Sequence, residues 1–213
     1  MQVQTIESQP FAENSYVLHL PNRKDAVVID PGLEPDLILG YLRSRGLTLA
    51  AILCTHGHAD HIGGNGAVKQ AWPAAPIMIG HGDAIMLQDP SANLSGAFGI
   101  PITSPPADRL LKDGDLVEVA GLHFEVLEIP GHSPGHVVYL DRDRCLLFGG
   151  DVLFAGSIGR TDFPGGSLER LAQGIHDKVF VLPPGTVVYP GHGPTTTVGA
   201  EMRSNPFVGL TTS

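Results

Sequence analysis

Apolar residues along this chain occur in short runs, and glycine, proline or polar residues separate the runs. Short runs rich in β-branched side chains predict strands, whereas apolar residues three or four positions apart predict helices. The predicted strands cover residues 3–8, 15–20, 26–29, 49–54, 77–79, 117–119, 122–128, 137–140, 145–148 and 186–189. The predicted helices cover residues 34–45, 61–72, 83–88, 167–178 and 195–203, and Ser167 is the predicted N-cap of the fourth.

This succession of elements predicts an α+β fold, a four-layer αββα sandwich in which helices cover two central sheets. The chain of 213 residues is long enough for one such domain with a sizeable core. Residues 89–108 fit neither periodicity, because prolines and glycines interrupt them. A loop of this length in a compact domain is usually functional or disordered, and we expect an ordered loop that walls one side of the metal cleft. Plain packing against the sheet is the alternative.

Side chains that bind divalent metals crowd into the turn after the predicted strand 49–54. His56, His58, Asp60 and His61 lie within six positions, between an apolar run and a glycine-rich helix start. Imidazole and carboxylate are ligands for first-row divalent ions. Period-two spacing points His56 and His58 the same way, and the turn then presents Asp60 and His61 to a neighbouring point. A histidine-rich surface turn is the alternative.

Three more candidate ligands occur in the same context further along the chain. His132, Asp151 and His192 each follow an apolar strand and a small or turn-forming residue. Strand ends at one edge of a sheet can converge although they are far apart in sequence. The shared context therefore predicts one site built from all these residues.

With these motifs the chain resembles the metallo-β-lactamase superfamily, and within it the short hydroxyacylglutathione-hydrolase-like (glyoxalase II, type II) group. The resemblance implies that His56, His58 and His132 hold one metal ion. It implies that Asp60, His61 and His192 hold a second, with Asp151 bridging the two. The motifs that carry the resemblance are Asp30-Pro31-Gly32, the 56–61 string, residues 130–136, Gly149-Gly150-Asp151, Pro190-Gly191-His192-Gly193, and the loop 154–166.

This ligand set implies two divalent metal ions, and we expect zinc, with iron or manganese as the alternatives. Such a pair supplies a metal-bound hydroxide for attack on a carbonyl, with Asp60 orienting it as the catalytic residue. The resemblance implies hydrolysis of a small-molecule thioester derived from glutathione, such as lactoylglutathione. A generic ester or lactone hydrolase of the same fold is an alternative. True zinc β-lactamases typically carry other residues where His61 and Asp151 stand, so we expect lactam hydrolysis to be minor.

A different chemistry remains open within the same resemblance. Persulfide dioxygenases of the superfamily share the histidine string and a loop similar to residues 159–163. They use one iron, which would be held here by His56, His132 and Asp151. The number of metal ions separates the two interpretations. A metal-bearing module without catalysis is a third.

Two residues outside the ligand set are candidate substrate contacts. Arg160, in the loop after Asp151, could clamp a substrate carboxylate through a bidentate contact, or could instead pair with Asp162 or Glu169. Phe98, in the loop 89–108, could supply an apolar contact. Asp30, at a strand end, could orient a ligand imidazole, as metal-bound histidines usually require.

Charge and composition narrow the partners. The chain has 13 Lys and Arg against 22 Asp and Glu, a net charge of −9, and no basic run. Nucleic acid is therefore not an expected partner, because phosphate backbones require clustered cations.

The N-terminus has no signal-like apolar region and no window is apolar enough for a membrane helix, so we expect a cytoplasmic protein without membrane contact. Full-length glyoxalase II carries a C-terminal helical domain that contacts glutathione; we expect a single metallo-β-lactamase-like domain over 1–213 without it. The oligomeric state stays open.

Overall fold

The structure, a computed structural model, describes residues 1–210, except for the side chain of Phe98. The strands are β1 (Gln2–Ser8), β2 (Glu13–His19), β3 (Asp25–Ile29), β4 (Thr48–Leu53), β5 (Ile77–Gly80), β6 (Arg109–Leu111), β7 (Leu116–Val119), β8 (Leu122–Glu128), β9 (Val137–Asp141), β10 (Leu146–Gly150), β11 (Leu153–Phe154), β12 (Ser157–Ile158), β13 (Val187–Pro190) and β14 (Thr196–Thr197). The α-helices are α1 (Pro35–Ser44), α2 (Ala59–Ile62), α3 (Asn65–Ala71), α4 (Leu168–Gly174) and α5 (Val198–Ser204). Short 3-10 helices cover His81–Leu87 and Ser95–Phe98, and a π-helical turn, Ile175–Val179, continues α4.

Two mixed sheets of six strands each form the centre of the described chain. The first has the order β1-β2-β3-β4-β5-β6, and the second has the order β14-β13-β10-β9-β8-β7. In the first, β3, β4, β5 and β6 run parallel. In the second, β10 and β13 run parallel. Parallel neighbours end at the same sheet edge, which brings the segments that follow them together.

Alternating side chains along the strands divide the core into three apolar layers. In β2, Tyr16 and Leu18 pack between the two sheets, whereas Val17 faces the layer that contains α1 and α3. Side chains of the second sheet, such as Val138 and Val188, pack on the opposite side with α4 and α5. Period-two alternation with both faces buried is the pattern of a sheet covered on both sides. The predicted four-layer αββα sandwich is therefore confirmed.

The predicted helix 61–72 is wrong as a single element, because α2 and α3 are separated at Gly63 and Gly64. A Cβ atom at Gly64 would lie 2.5 Å from the Gly32 carbonyl oxygen, so the turn after β3 packs directly on the break. The Gly64 N–H donates to the Pro31 carbonyl at 2.8 Å. The break therefore joins the turn around Asp30 to the segment that carries His61.

Helix starts follow the predicted chemistry more closely. The Ser167 hydroxyl accepts a hydrogen bond from the Arg170 N–H, as expected of an N-cap. The last helix begins at Val198 rather than at 195, because Thr196 and Thr197 first pair with β13 and Thr197 then caps α5. Among residues 1–210, no helix is long and apolar enough to cross a bilayer.

Candidate metal centre

The seven predicted ligands lie at one end of the two sheets. His56 and His58 follow β4, Asp60 and His61 lie on α2, and His132 follows β8; Asp151 and His192 follow β10 and β13. Their origin in both sheets explains how residues from 56 to 192 meet. The structure brings all seven together, as the strand-end argument predicts.

The first group consists of His56, His58 and His132, whose candidate ligand atoms all lie within 4.8 Å of one another. His58 Nδ1 is 2.8 Å from His132 Nε2. His56 Nε2 is fully buried and has no hydrogen-bond partner. A buried polar atom without a partner is unfavourable unless something else satisfies it. Three converging imidazole nitrogens, one of them unpaired, fit a divalent metal ion.

The second group consists of Asp60, His61 and His192, again within 4.8 Å of one another. Asp60 Oδ2 is 3.4 Å from His192 Nε2 and 3.7 Å from His61 Nε2. The two imidazole Nε2 atoms are 3.4 Å apart. This donor set, one carboxylate and two imidazoles, also suits a first-row divalent ion.

Asp151 lies between the two groups. Its Oδ2 is 3.5 Å from His132 Nε2 in the first group and 3.6 Å from His192 Nε2 in the second. Its Oδ1 is 3.5 Å from His61 Nε2 and has no hydrogen-bond partner. One carboxylate that contacts members of both groups through Oδ2 has the position that a bridging ligand needs.

The lowered pKa values of two histidines in the first group favour binding of a cation. Burial and the neighbouring imidazoles lower the pKa of His56 well below its usual value. Burial, followed by the proximity of His132, lowers the pKa of His58 to about 3. Both imidazoles therefore stay neutral near pH 7 and keep a lone pair for a metal ion.

In the second group the nearby carboxylates decide the direction in which the pKa of His61 shifts. Burial acts to lower the pKa of His61, but Asp60, Asp151 and Asp30 outweigh it and raise that pKa well above its usual value. Burial acts to raise the pKa of Asp60, but His61 and His192 outweigh it and lower that pKa. Without a metal ion, a proton on His61 compensates the buried carboxylates. A divalent cation could compensate the same charge, so the residues fit two ions.

Asp30 orients His61, as expected from its position at a strand end. Its backbone lies in the left-handed region, with φ of 48°, at the end of β3. Asp30 Oδ2 is 3.1 Å from His61 Nδ1, and both carboxylate oxygens accept hydrogen bonds from Thr55, at 2.7 Å from its N–H and 2.6 Å from its hydroxyl. Because Thr55 occupies both oxygens, we assign Asp30 to holding the imidazole rather than to the metal.

Backbone carbonyl groups fix two further rings. His132 Nδ1 is 2.9 Å from the Arg160 carbonyl oxygen, and His192 Nδ1 is 3.1 Å from the Phe11 carbonyl oxygen. A proton on each Nδ1 leaves Nε2 free as an acceptor. This arrangement sets the tautomer in which Nε2 faces the centre.

Two buried residues that support the site have no assigned role in the sequence argument. Asp83, in the 3-10 helix His81–Leu87, accepts hydrogen bonds from Gly57, Ser133 and Gly135. His136 is fully buried, and its Nε2 accepts a hydrogen bond from the Asp151 N–H at 3.0 Å. No local sequence pattern distinguishes Asp83, because its partners lie 26 to 52 positions away.

A cavity of about 710 Å³ opens onto the candidate centre. Its lining includes Asp60, Asp151 and Arg160, and side chains from the loop 89–108 form part of the wall, as predicted. Arg160 makes a bidentate contact with Asp162, at 2.7 Å for each nitrogen, and lies over the Phe163 ring. Phe98, the other predicted substrate contact, has a side chain outside the described part of the structure.

Comparisons with known proteins agree with this arrangement. The family model described as the metallo-beta-lactamase superfamily matches residues 8–192. The chain is 42% identical over 200 residues to the probable metallo-hydrolase YqgX of Bacillus subtilis, with 93% of each chain covered. It is 35% identical over 210 residues to the hydroxyacylglutathione hydrolase GloC of Haemophilus influenzae, with 98% of each covered.

Two solved structures extend the comparison. BLEG-1, described as a B3 metallo-beta-lactamase, is 42% identical with a TM-score of 0.93, over 97% of this chain and 99% of that one. TTHA1623, described in a di-iron-bound form, is 39% identical with a TM-score of 0.85, over 96% of this chain and 100% of that one. The second structure shows that a relative of this fold binds iron.

Proposed function

The chain belongs to the metallo-β-lactamase superfamily, and from this premise we propose that it is a dinuclear metal-dependent hydrolase of thioesters. The observation that carries the proposal is the position of Asp151 between two complete donor groups. A single iron held by two imidazoles and a carboxylate, the alternative chemistry, leaves the second group of Asp60, His61 and His192 without a role. The paired groups therefore favour hydrolysis.

Two divalent ions bound at these residues would polarise a substrate carbonyl and lower the pKa of a shared water. The protein's own groups complete the chemistry. Asp60, which is ionised, lines the cavity and can accept a hydrogen bond from a water molecule there. Asp151 and the imidazoles would hold the two ions in place. A thiolate leaving group requires no general acid, because thiols are acidic enough to leave as anions near neutral pH.

Side chains at the cavity do not offer a covalent route. Ser95 is the one serine among the described lining residues, and its hydroxyl donates to Asn93 Oδ1 at 2.6 Å. No cysteine or lysine occurs among the described residues of the lining. Cys54, next to the histidine string, is fully buried and contacts Asn65. These contacts support direct attack by water.

Acylglutathione is the substrate class to test first, because GloC, at 35% identity, is described as a hydroxyacylglutathione hydrolase. The protein would be loaded with zinc, iron or manganese in turn, and thiol release from lactoylglutathione would be followed. Lactoyl-N-acetylcysteamine, which keeps the thioester and lacks the glutathione carboxylates, measures how far glutathione itself is recognised. A chromogenic cephalosporin tests lactam hydrolysis, which the description of BLEG-1 makes a necessary comparison.

The proposal predicts thioester turnover that Asp60→Asn reduces by at least about 100-fold, the usual size of a general acid–base contribution. Asp143→Asn, a change of the same type at an exposed residue, should keep full turnover. Faster turnover of the cephalosporin than of either thioester would overturn the substrate class. One iron per chain with oxygen uptake on glutathione persulfide would replace the proposal by the dioxygenase alternative.

A further inference from the structure

The cavity walls beyond the candidate metal centre are apolar. One wall contains Pro10, Phe11 and Leu33. The loop after β1 and the turn after β3 are joined there, because the Gln9 N–H donates to a Glu34 carboxylate oxygen at 2.7 Å. Phe11 is nevertheless 47% exposed. Exposed apolar surface on a segment held in place at the cavity favours an apolar ligand.

The loop 89–108 contributes a second apolar wall, with Leu94, Ile100 and Ile102 in the lining. The loop is held by its own polar groups: the Ile102 N–H donates to the Ser95 hydroxyl oxygen at 2.9 Å. Asn93 donates to the Ile102 carbonyl at 2.9 Å. Ile100 remains 68% exposed. Like the first wall, this loop is held in place by hydrogen bonds and exposes a large apolar side chain.

Polar groups on these walls are already engaged. The Asn93 side chain donates to two carbonyl groups and accepts from Ser95 through its oxygen. Arg160 is the one Lys or Arg among the described lining residues, and Asp162 occupies two of its nitrogens. It lies beside His132, whose Nδ1 contacts its carbonyl. The walls therefore offer surface for apolar groups and almost no partner for charged ones.

We propose that the cavity selects thioesters with an extended apolar acyl chain, which would lie against the walls around Phe11 and Ile100. This inference rests on the proposed thioester hydrolysis and adds the substrate class. The polar thiol part of the substrate would lie towards solvent and Arg160. The volume of about 710 Å³ falls within the range of pockets that enclose a small ligand. A lactoyl group, short and hydroxylated, would leave most of the apolar surface uncovered.

The test holds the thiol constant and lengthens the acyl chain. Turnover of acetyl-, butanoyl-, hexanoyl- and octanoylglutathione by the metal-loaded protein should give kcat/KM values that rise about fourfold per methylene, the ratio expected for burial of one CH₂. Affinity for S-methyl-, S-butyl- and S-octylglutathione, which cannot be hydrolysed, is measured by calorimetry in parallel. It should rise with chain length in the same sense.

Two variants locate the effect. Phe11→Ser and Ile100→Ser should each reduce the octanoyl-to-acetyl ratio of kcat/KM, and the octyl-to-methyl ratio of affinity, by about tenfold or more. Phe207→Ser removes a 61% exposed phenylalanine outside the cavity lining and should leave both ratios unchanged. Thermal unfolding of each variant controls for misfolding.

The outcomes separate this inference from the proposed function. Turnover of all thioesters without dependence on chain length would overturn the apolar acyl preference and leave thioester hydrolysis standing. Absence of any thioester turnover would overturn the proposed function. In that case the S-alkyl series still decides: affinity that does not depend on chain length, or is unchanged in both wall variants, overturns the apolar site.

Discussion

The Asp83 carboxylate accepts a hydrogen bond at 3.0 Å from the Gly57 N–H, which lies between two of the candidate metal ligands. The same carboxylate accepts the Ser133 hydroxyl and the Gly135 N–H, each at 2.6 Å. Gly57 follows β4 of the first sheet, and the other two donors lie just after His132, in the loop that follows β8 of the second sheet. One buried side chain therefore ties together the two loops that carry His56, His58 and His132.

Removal of this carboxylate should weaken metal binding and lower the stability of the protein without unfolding it. Asp83→Ala leaves three donors without their partner, and we expect the free energy of unfolding to fall by about 3 kcal/mol or more. Metal affinity should fall by roughly 10- to 100-fold, the usual effect of losing a group that orients ligands. Asp83→Asn, which keeps one acceptor oxygen, should have an intermediate effect, and exposed Asp143→Ala should have none. Urea unfolding and metal titration measure both. Unchanged metal affinity in Asp83→Ala would contradict this role.

Asp30 should act more strongly on the metal position of His61, which it contacts directly, than on that of His56, which it reaches only through the Thr55 hydroxyl, 3.1 Å from His56 Nδ1. Asn at position 30 keeps the size of the side chain, but its amide nitrogen cannot accept a hydrogen bond from Thr55 or His61. We expect Asp30→Asn to weaken binding of the ion held by His61 by roughly 10- to 100-fold, and to weaken binding of the ion at His56 by less, because only the Thr55 hydroxyl links Asp30 to His56. Competition with a chromogenic chelator resolves the two affinities. Equal weakening of both ions would argue against a specific action through His61.

The contact between Arg160 and Asp162 makes a prediction about carboxylate recognition. If Arg160 clamps a glutathione carboxylate, Asp162 competes with the substrate for the same guanidinium. Arg160→Ala should then raise KM for an acylglutathione by roughly three- to tenfold, and Asp162→Ala should lower it. The matched control is the N-acetylcysteamine thioester, which has no carboxylate and whose KM should not change. Equal effects on both substrates would assign Arg160 only to fixing its loop.

Buried neutral imidazoles predict how stability depends on pH in the metal-free protein. Burial lowers the pKa of His56, His58 and His136 in the folded chain, so the unfolded chain binds more protons below about pH 6.5. These groups therefore contribute stability above that pH, and the contribution is lost as the pH falls. Each proton adds a slope of about 1.4 kcal/mol per pH unit between pH 6 and 4. Urea unfolding of wild type and His58→Gln should show a smaller slope in the variant. Identical slopes would contradict a neutral buried His58.

Much of the fold follows from patterns that are local in sequence. Alternation in β2 and the cap at Ser167 depend on near neighbours, so they could be predicted without coordinates. The break between α2 and α3 could not be predicted, because its cause is the close approach of Gly32 to Gly64. Strand β6 was also missed, since its pairing with β5 rather than its own composition defines it.

The candidate site likewise has residues that the sequence predicts and residues that it does not. Ligand residues such as His132 and Asp151 share a strand-end context that the sequence displays, and the structure brings them together. Asp83 was not predicted, because its role depends on partners in other segments. The proposed acyl preference of the cavity could not be predicted either, since it depends on which side chains of the loop 89–108 line the cavity.

Metal content measured together with activity tests the central claim most directly. The purified protein, reconstituted with excess zinc, iron or manganese and then desalted, would be analysed for bound metal and for thioester turnover, alongside Asp151→Ala. Two ions per chain with turnover in the wild type, and at most one ion with turnover lower by at least about 100-fold in Asp151→Ala, are the results we predict. Full turnover with one ion per chain or none, or two tightly bound ions in Asp151→Ala, would contradict the bridged dinuclear centre.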